Sequence, residues 1–179
     1  FIGTKRWEPE IITQKLGEKW YFPLFQSYKV YPHCRILAGS LDALIDLIEK
    51  NDIKPEEVES IKAWVEGHCI KPAWQNTEIE HITDAQSSVA HGLSLAAHRI
   101  PPGPAWQDIS TVYNPSILSM MDKISFEEHP DWVKCITNDP AARPSRIEIR
   151  ARGKVFTEER LYPQGDPAKT AGTYFTMDG

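Results

Sequence analysis

Apolar residues recur every three or four positions from residue 35 to residue 51, which predicts one long amphipathic helix. The positions that form its apolar face are Ile36, Leu37, Leu41, Leu44, Ile45, Leu47 and Ile48. The charged residues of the segment, including Asp42, fall largely off that face. Upstream, residues 9–16 predict one or two helical turns that end at Gly17, since glycine commonly follows the last helical residue.

Two further helices are predicted from residues that cap helix N-termini. Thr83 is followed three positions later by a glutamine, as in a capping box, and the apolar residues beyond it predict a helix over 83–98. An Asn-Pro pair at 114–115 begins another helix by the same logic, because proline is favoured at the first helical position. This helix should end near Lys123, with Ile124 facing inward.

Alternating polar and apolar residues predict β-strands in two parts of the chain. Residues 58–65 predict one strand, and residues 146–151 and 155–161 predict a hairpin whose strands are joined by an Arg-Gly pair. Aromatic residues favour an extended segment over 20–31. Residues 67–81 lack periodicity and are predicted to form a long loop, a kind of segment that is often functional.

Together these elements predict a single α+β domain. The helices at 35–50 and 83–98 should cover one face of a mainly antiparallel sheet that contains 58–65 and the hairpin at 146–161. No internal repeat or interdomain linker divides the chain.

Composition excludes several classes of protein. Of 179 residues, 41% are hydrophobic and the net charge is -5, so the chain can bury a core but has no basic face for nucleic acid or an anionic membrane. No apolar run approaches the roughly 20 residues that span a bilayer. The three widely spaced cysteines indicate neither a disulfide framework nor a metal site and fit a reducing cytoplasm. His91 and His98 share a helix face, but no further ligands accompany them, so no metal is predicted.

A seven-residue segment, Lys29-Val30-Tyr31-Pro32-His33-Cys34-Arg35, contains the strongest candidate chemistry. It places an amine, an imidazole and a thiol just before a predicted helix N-terminus, where free N–H groups and the helix dipole favour a carboxylate ligand. The alternative is structural, since a segment of this composition is also typical of a strand leaving a sheet edge.

Four motifs in a fixed order resemble the MmgE/PrpD family. The first is the segment at 29–35 before a helix, and the second is Ile-Lys-Pro-Glu-Glu-Val-Glu-Ser-Ile at 53–61 leading into a strand. The third is residues 84–90, where the family usually has Ala-Lys-Phe-Ser before an apolar helix. The fourth is a hairpin with a central glycine followed by Tyr-Pro-Gln-Gly-Asp-Pro at 162–167.

The resemblance implies both a fold and an activity. The family includes 2-methylcitrate dehydratase, cis-aconitate decarboxylase and iminodisuccinate epimerase, which act on small polycarboxylates without metal or organic cofactor. Its members combine a helical domain with a smaller α+β lid. Residues 20–167 resemble the lid, residues 1–19 would lead in from the helical domain, and residues 168–179 would begin the return to it. The implied partners are that helical domain and, in the full-length protein, a second copy in a homodimer.

The resemblance also assigns roles to residues of the 29–35 segment. Lys29 is expected to stabilise the enolate-like charge that develops beside a carboxylate, which is also what a fixed ammonium in a dry cleft does physically. Cys34, at a position where the decarboxylases have a histidine, or its neighbour His33 would bind substrate or relay a proton. Tyr31 and Arg35 complete the expected substrate-binding set.

Ala38 departs from the family pattern, because many relatives have a histidine there. Two hypotheses follow. The preferred one is the lid of a lyase or isomerase of small polycarboxylates such as 2-methylcitrate, inactive as an isolated fragment. The other is a catalytically inactive relative, or an interaction or dimerisation module, that retains the lid fold.

Overall fold

The computed structural model describes residues 8–18 and 27–166 and contains a mixed four-stranded sheet. The strands are β1 (Val58–Val65), β2 (Ile124–Glu128), β3 (Ser145–Ala151) and β4 (Lys154–Arg160), in the spatial order β2-β1-β3-β4. β1 pairs antiparallel with β3, and β3 with β4, whereas β2 runs parallel to β1. The predicted α+β class and both predicted strand regions are therefore confirmed.

One face of the sheet is buried and the other is polar. The buried positions alternate along the two central strands and comprise Val58, Ile61, Ala63, Val65, Ile147, Ile149 and Ala151. On the opposite face, Trp64 lies between the cations of Lys62 and Arg146, each about 4.7 Å from its ring centroid. The alternation read from the sequence thus sorts these strands correctly between core and solvent.

The hairpin between β3 and β4 turns at Arg152 and Gly153. Both residues have positive φ angles, 55° and 67°, as a two-residue type I′ turn requires. Glycine adopts this conformation without a steric cost, which is why the Arg-Gly pair could be recognised as a turn.

Several α-helices accompany the sheet, and the longest described one packs on its buried face. They are α1 (Glu10–Thr13), α2 (Ala38–Asn51), α3 (Ile82–Ser87), α4 (Val89–Ala97), α5 (Ile109–Val112), α6 (Pro115–Met121) and α7 (Trp132–Asn138). α2 lies across β3 and β4, and α4 lies between α2 and α6 with contacts to β2. In the part of the chain that the structure describes, no helix has both the length and the apolar character to cross a membrane.

The predicted helix over 83–98 is wrong in one respect, because it is two helices that meet at Ser88. Ser88 has an extended conformation (φ -68°, ψ 117°), and its hydroxyl accepts a hydrogen bond from the N–H of His91 at 3.2 Å, which caps α4. The first cap also differs from the prediction. Asp84, rather than Thr83, accepts a hydrogen bond from the N–H of His81 at 2.7 Å, and the helix begins at Ile82.

Other predicted boundaries shift by smaller amounts. The segment 67–81 is not a structureless loop, since it holds two 3₁₀ helices, Gly67–Ile70 and Pro72–Trp74. The helix after Asn114 is confirmed and is capped by the Asn114 side chain, but Ile124 begins β2 instead of facing inward from that helix. The prediction for 168–179, and most of the extended segment predicted for 20–31, lie outside the described residues.

Candidate functional site

All five predicted site residues line one narrow cleft in front of α2. The cleft lies between the segment at 28–35 and the residues that follow β4, with about 250 Å³ of empty space that includes its opening to solvent. Its lining residues are Tyr28, Lys29, Val30, Tyr31, His33, Cys34, Arg35, Ala38, Pro163 and Gln164. We call residues 162–166, which close one side of this cleft, the strap.

The strap is hydrogen-bonded to the start of the cleft segment. The N–H of Tyr28 donates to the carbonyl of Gly165 at 2.9 Å. Gly165 has a positive φ of 85°, and a Cβ atom there would lie 2.5 Å from the Tyr28 carbonyl oxygen. Only glycine allows this close approach of the two backbones, which explains why position 165 of the Tyr-Pro-Gln-Gly-Asp sequence is a glycine.

Tyr31 is buried beneath the cleft, where its hydroxyl donates to the carboxylate of Asp42 at 2.5 Å. The second oxygen of Asp42 accepts a hydrogen bond from the backbone N–H of Gln164 at 2.7 Å, so this carboxylate joins the cleft segment to the strap. Burial and the negative charge of Asp42 raise the pKa of Tyr31 well above its usual value, and burial raises the pKa of Asp42. Tyr31 therefore stays protonated and donates its hydroxyl hydrogen bond to Asp42.

His33 is 2% exposed and is fixed in one orientation. Its Nε2 lies 3.0 Å from the carbonyl oxygen of Ser88, so this nitrogen carries the proton and donates. Nδ1 is buried, and no described residue forms a hydrogen bond with it. Burial lowers the pKa of His33 to about 4, and the positive charge of Lys29 contributes to the decrease. The imidazole is thus neutral near pH 7, with a lone pair on Nδ1.

Lys29 is exposed and lines the mouth of the cleft. Among the described residues, no carboxylate forms an ion pair with its ammonium. Cys34 is half-buried, and its backbone N–H donates to the carbonyl of Gln86 at 3.2 Å, which ties the cleft segment to α3. A free cation and a thiol therefore share the cleft with the neutral imidazole.

Among ion pairs between described residues, Arg35 is the only predicted site residue that takes part. Its guanidinium is paired with the carboxylate of Asp166 at the end of the strap. The Asp166 side chain is 3% exposed and that of Arg35 is 34% exposed, so part of the guanidinium still faces solvent. With five N–H donors in a planar fork, Arg35 can hold Asp166 and a second carboxylate at the same time.

Three carboxylates beside the cleft were not found from the sequence. Asp42 was predicted to lie off the apolar face of its helix, but it is only 5% exposed. Asp42 is buried because residues 38–44 are all buried, including the face opposite the apolar positions. Asp166 and Glu66 are each 4% exposed and come from distant parts of the chain. The available sequence signal was that Asp42 is the one charged residue within 36–45.

The remaining histidines of α4 have structural partners. Nε2 of the buried His91 lies 3.1 Å from the carbonyl of Val112, and the His98 ring lies 2.8 Å from both the Ser94 carbonyl and the Ser116 hydroxyl. Across residues 8–18 and 27–166, no three histidine, cysteine or acidic side chains converge in a way that would hold a metal ion.

Comparison with protein families gives a match over most of the chain. The model of the MmgE/PrpD C-terminal domain matches residues 31–173, which include most of the cleft segment, the whole sheet and the strap. A search of curated proteins finds no match to this chain.

Proposed function

We propose, from the fact that this chain belongs to the MmgE/PrpD family as its C-terminal lid domain, that the full-length protein is a cofactor-independent lyase or isomerase of small polycarboxylates. One observation supports the proposal most. An ammonium that no described carboxylate pairs with (Lys29), a neutral imidazole (His33) and a partly exposed guanidinium (Arg35) line the same cleft. Two cations suit an anion with several carboxylates, and the imidazole suits a proton transfer.

The three groups divide the chemistry between them in this proposal. Arg35 binds one substrate carboxylate through the N–H groups that Asp166 leaves free. Lys29 stabilises the negative charge that develops on a carboxylate oxygen when a bond at the adjacent carbon breaks. His33 or its neighbour Cys34 relays the proton; the imidazole of His33 is neutral near pH 7, and its orientation is fixed by Ser88. Tyr31 contributes indirectly by holding the segment on Asp42.

The proposal includes partners outside this chain. A helical domain of the same protein would form the opposite wall of the cleft and supply further catalytic groups, since the lid alone leaves Lys29 open to water. A homodimer of the full-length protein, a cytoplasmic location and a substrate such as 2-methylcitrate are proposed on the family resemblance and the cysteine usage. Assays of the full-length protein distinguish dehydration, decarboxylation and epimerisation.

Ala38 favours a second candidate, a catalytically inactive relative or an interaction module that retains the lid fold. Ala38 is 8% exposed and lines the cleft, where many family members have a histidine. An enzyme with this alanine has to place its proton-transfer group elsewhere. In the preferred proposal, His33 or Cys34 is that group.

Assays of the full-length protein against citrate-like and aconitate-like acids test the proposal. Proton NMR of each reaction distinguishes loss of water, loss of carbon dioxide and exchange of a C–H proton with deuterium from the solvent. We expect turnover of at least one acid by the full-length protein and none by the 179-residue chain alone. Comparable turnover by the isolated chain would contradict the lid role, and no turnover by the full-length protein would favour the inactive relative.

A further inference from the structure

Arg35 is one of four charged side chains that lie close together beside the cleft. Arg35 pairs with Asp166, and Nε of Arg143 lies 3.3 Å from Oε1 of Glu66. The Asp166 and Glu66 side chains are 3% and 5% exposed, whereas those of Arg35 and Arg143 are 34% and 23% exposed. We call these four residues the charge cluster. Buried carboxylates of this kind persist only when cations compensate them.

The charge cluster joins four separate parts of the fold. Arg35 begins the 3₁₀ turn before α2, Glu66 directly follows β1, Arg143 lies two residues before β3, and Asp166 ends the strap. Three of these positions border the regular elements whose packing forms the core. The charge cluster therefore holds the guanidinium of Arg35 in a fixed position relative to the core.

Hydrogen-bonding capacity within the charge cluster is not used up. Among the described residues, Oδ2 of Asp166, Oε1 of Glu66 and Nε of Arg143 lack a hydrogen bond of acceptable geometry, although Arg143 and Glu66 are within ion-pair distance. The attraction is thus mainly electrostatic. Such an arrangement fixes the position of a charge more than it contributes to folding.

We propose that Asp166 and Glu66 are positioning residues for Arg35, which hold its guanidinium with one edge toward the cleft so that it receives a substrate carboxylate. This inference rests on the proposed function and names how its anion-binding group is set. Neither acidic residue touches the substrate. Asp166 fixes the orientation of the Arg35 guanidinium by pairing with it directly. The charge of Glu66 determines how far the carboxylates of the cluster neutralise its two cations.

The balance of charge in the cluster depends on pH. Burial and, to a smaller extent, Asp166 raise the pKa of Glu66, whereas Arg143 and Arg35 lower it, and the net pKa is about 7. Burial and then the charge of Glu66 raise the pKa of the Cys69 thiol, so this thiol is neutral in this range. When Glu66 takes up a proton, two cations face only one carboxylate. A bound anion at Arg35 is then favoured, so binding of a carboxylate should strengthen as the pH falls through 7.

Binding of propane-1,2,3-tricarboxylate to the full-length protein tests this inference without requiring turnover. Calorimetric Kd values at pH 6, 7 and 8 are measured for the wild type, Asp166→Asn and Glu66→Gln, together with kcat and KM on any acid that is turned over. The control is Glu159→Gln, which removes a carboxylate paired with Arg146 at 3.6 Å on the opposite, polar face of the sheet. This control should leave every Kd at the wild-type value.

We expect Asp166→Asn to raise Kd and KM about tenfold with kcat within about twofold, because the cation is kept but loses its orientation. Glu66→Gln removes the carboxyl group that titrates, so the Kd of this variant should change less between pH 6 and 8 than the Kd of the wild type. Arg35→Lys keeps the charge without the fork, and Asp166→Asn should add little in that background.

Several results would overturn the inference. If the wild type turns over a polycarboxylate but Asp166→Asn changes only the melting temperature, Asp166 is structural and the proposed function stands. If Glu66→Gln retains the wild-type pH dependence of Kd, Glu66 plays no part in binding. If the wild type neither binds the tricarboxylate nor turns over any acid, both the inference and the proposed function are wrong.

Discussion

The hydroxyl of Tyr31 donates a 2.5 Å hydrogen bond to Asp42, and the same carboxylate accepts a second hydrogen bond from the backbone N–H of Gln164. Two segments separated by more than 120 residues are thereby held on one buried side chain of α2. The Arg35–Asp166 ion pair and the Tyr28–Gly165 hydrogen bond join the same two segments. The shape of the cleft therefore depends on the strap as much as on the segment that bears Lys29.

Substitution of Tyr31 by Phe should destabilise the protein by about 1–3 kcal/mol, because it leaves a buried carboxylate oxygen of Asp42 without its donor. Denaturant unfolding at pH 7 measures the change. Tyr113→Phe is the matched control, since its hydroxyl donates to the Glu80 carbonyl at an exposed site. That variant should lose no more than about 0.5 kcal/mol. Equal losses in the two variants would show that the Tyr31–Asp42 hydrogen bond has no special role in stability.

Replacement of His33 by Gln should remove a loss of stability at acidic pH. Burial lowers the pKa of His33 from its usual 6.5 to about 4 in the folded state, so the unfolded chain binds a proton first as the pH falls. The stability that this histidine contributes is present above pH 6.5 and is lost between pH 6.5 and pH 4. The difference corresponds to about 3 kcal/mol. Glutamine does not titrate, and its amide can still donate to the Ser88 carbonyl.

Denaturant unfolding of wild type and His33→Gln at pH 7 and pH 4.5 checks this expectation. The control is His81→Gln, which replaces an exposed imidazole and should retain the wild-type loss on acidification. A His33→Gln variant that loses as much stability as the wild type between the two pH values would contradict the assignment of His33 as a buried neutral donor.

Much of the fold could be predicted because its signals are local. The alternation in 58–65 and the positive-φ pair at Arg152 and Gly153 are properties of a few neighbouring residues, and they define β1 and the hairpin. β2 was missed because five residues with little burial give a weak pattern, and its parallel partner lies some sixty positions upstream. The break at Ser88 was missed because the apolar spacing continues across it. The structure distinguishes Ser88 by the cap that its hydroxyl forms at His91 and by the tertiary hydrogen bond from His33 to its carbonyl.

The candidate site divides in the same way. Residues 29–35 were identified because they are contiguous, and the structure brings them together in one cleft. Asp42, Glu66 and Asp166 were missed because their roles arise from contacts across the fold. Arg35 and Asp166, for example, are 131 residues apart. A single sequence does not show that two residues so far apart form a pair, because the fold alone brings them together.

Substitution of Gly92 by Ala should disturb the site through packing alone. A Cβ atom at Gly92 would lie 2.8 Å from Nε2 of His33 and 2.9 Å from a methyl group of Leu37, both fully packed. We expect a loss of about 1–3 kcal/mol, as for other overpacked cores. Gly103→Ala is the control, since nothing lies within 4 Å of its added methyl group. Thermal melts of both variants decide the matter, and a Gly92→Ala protein as stable as the control would show that His33 can move freely.

Lys29 provides the most direct test of the chemistry. If its ammonium stabilises charge on the substrate, Lys29→Met in the full-length protein should reduce turnover by about 10² to 10³, the effect of deleting one preorganised charge-stabilising donor. Lys29→Arg should not restore full activity, because a planar guanidinium does not place its charge where the compact ammonium does.

The melting temperature of the Lys29 variants should barely change, since Lys29 is exposed and forms no ion pair within residues 8–18 and 27–166. Lys54→Met is a matched control, because that exposed lysine pairs with Asp52 away from the cleft and should leave kcat unchanged. Steady-state kinetics beside thermal melts separate the two readings of the segment: a purely structural lysine would alter the melt and leave kcat intact, and wild-type turnover by Lys29→Met would remove Lys29 from the site.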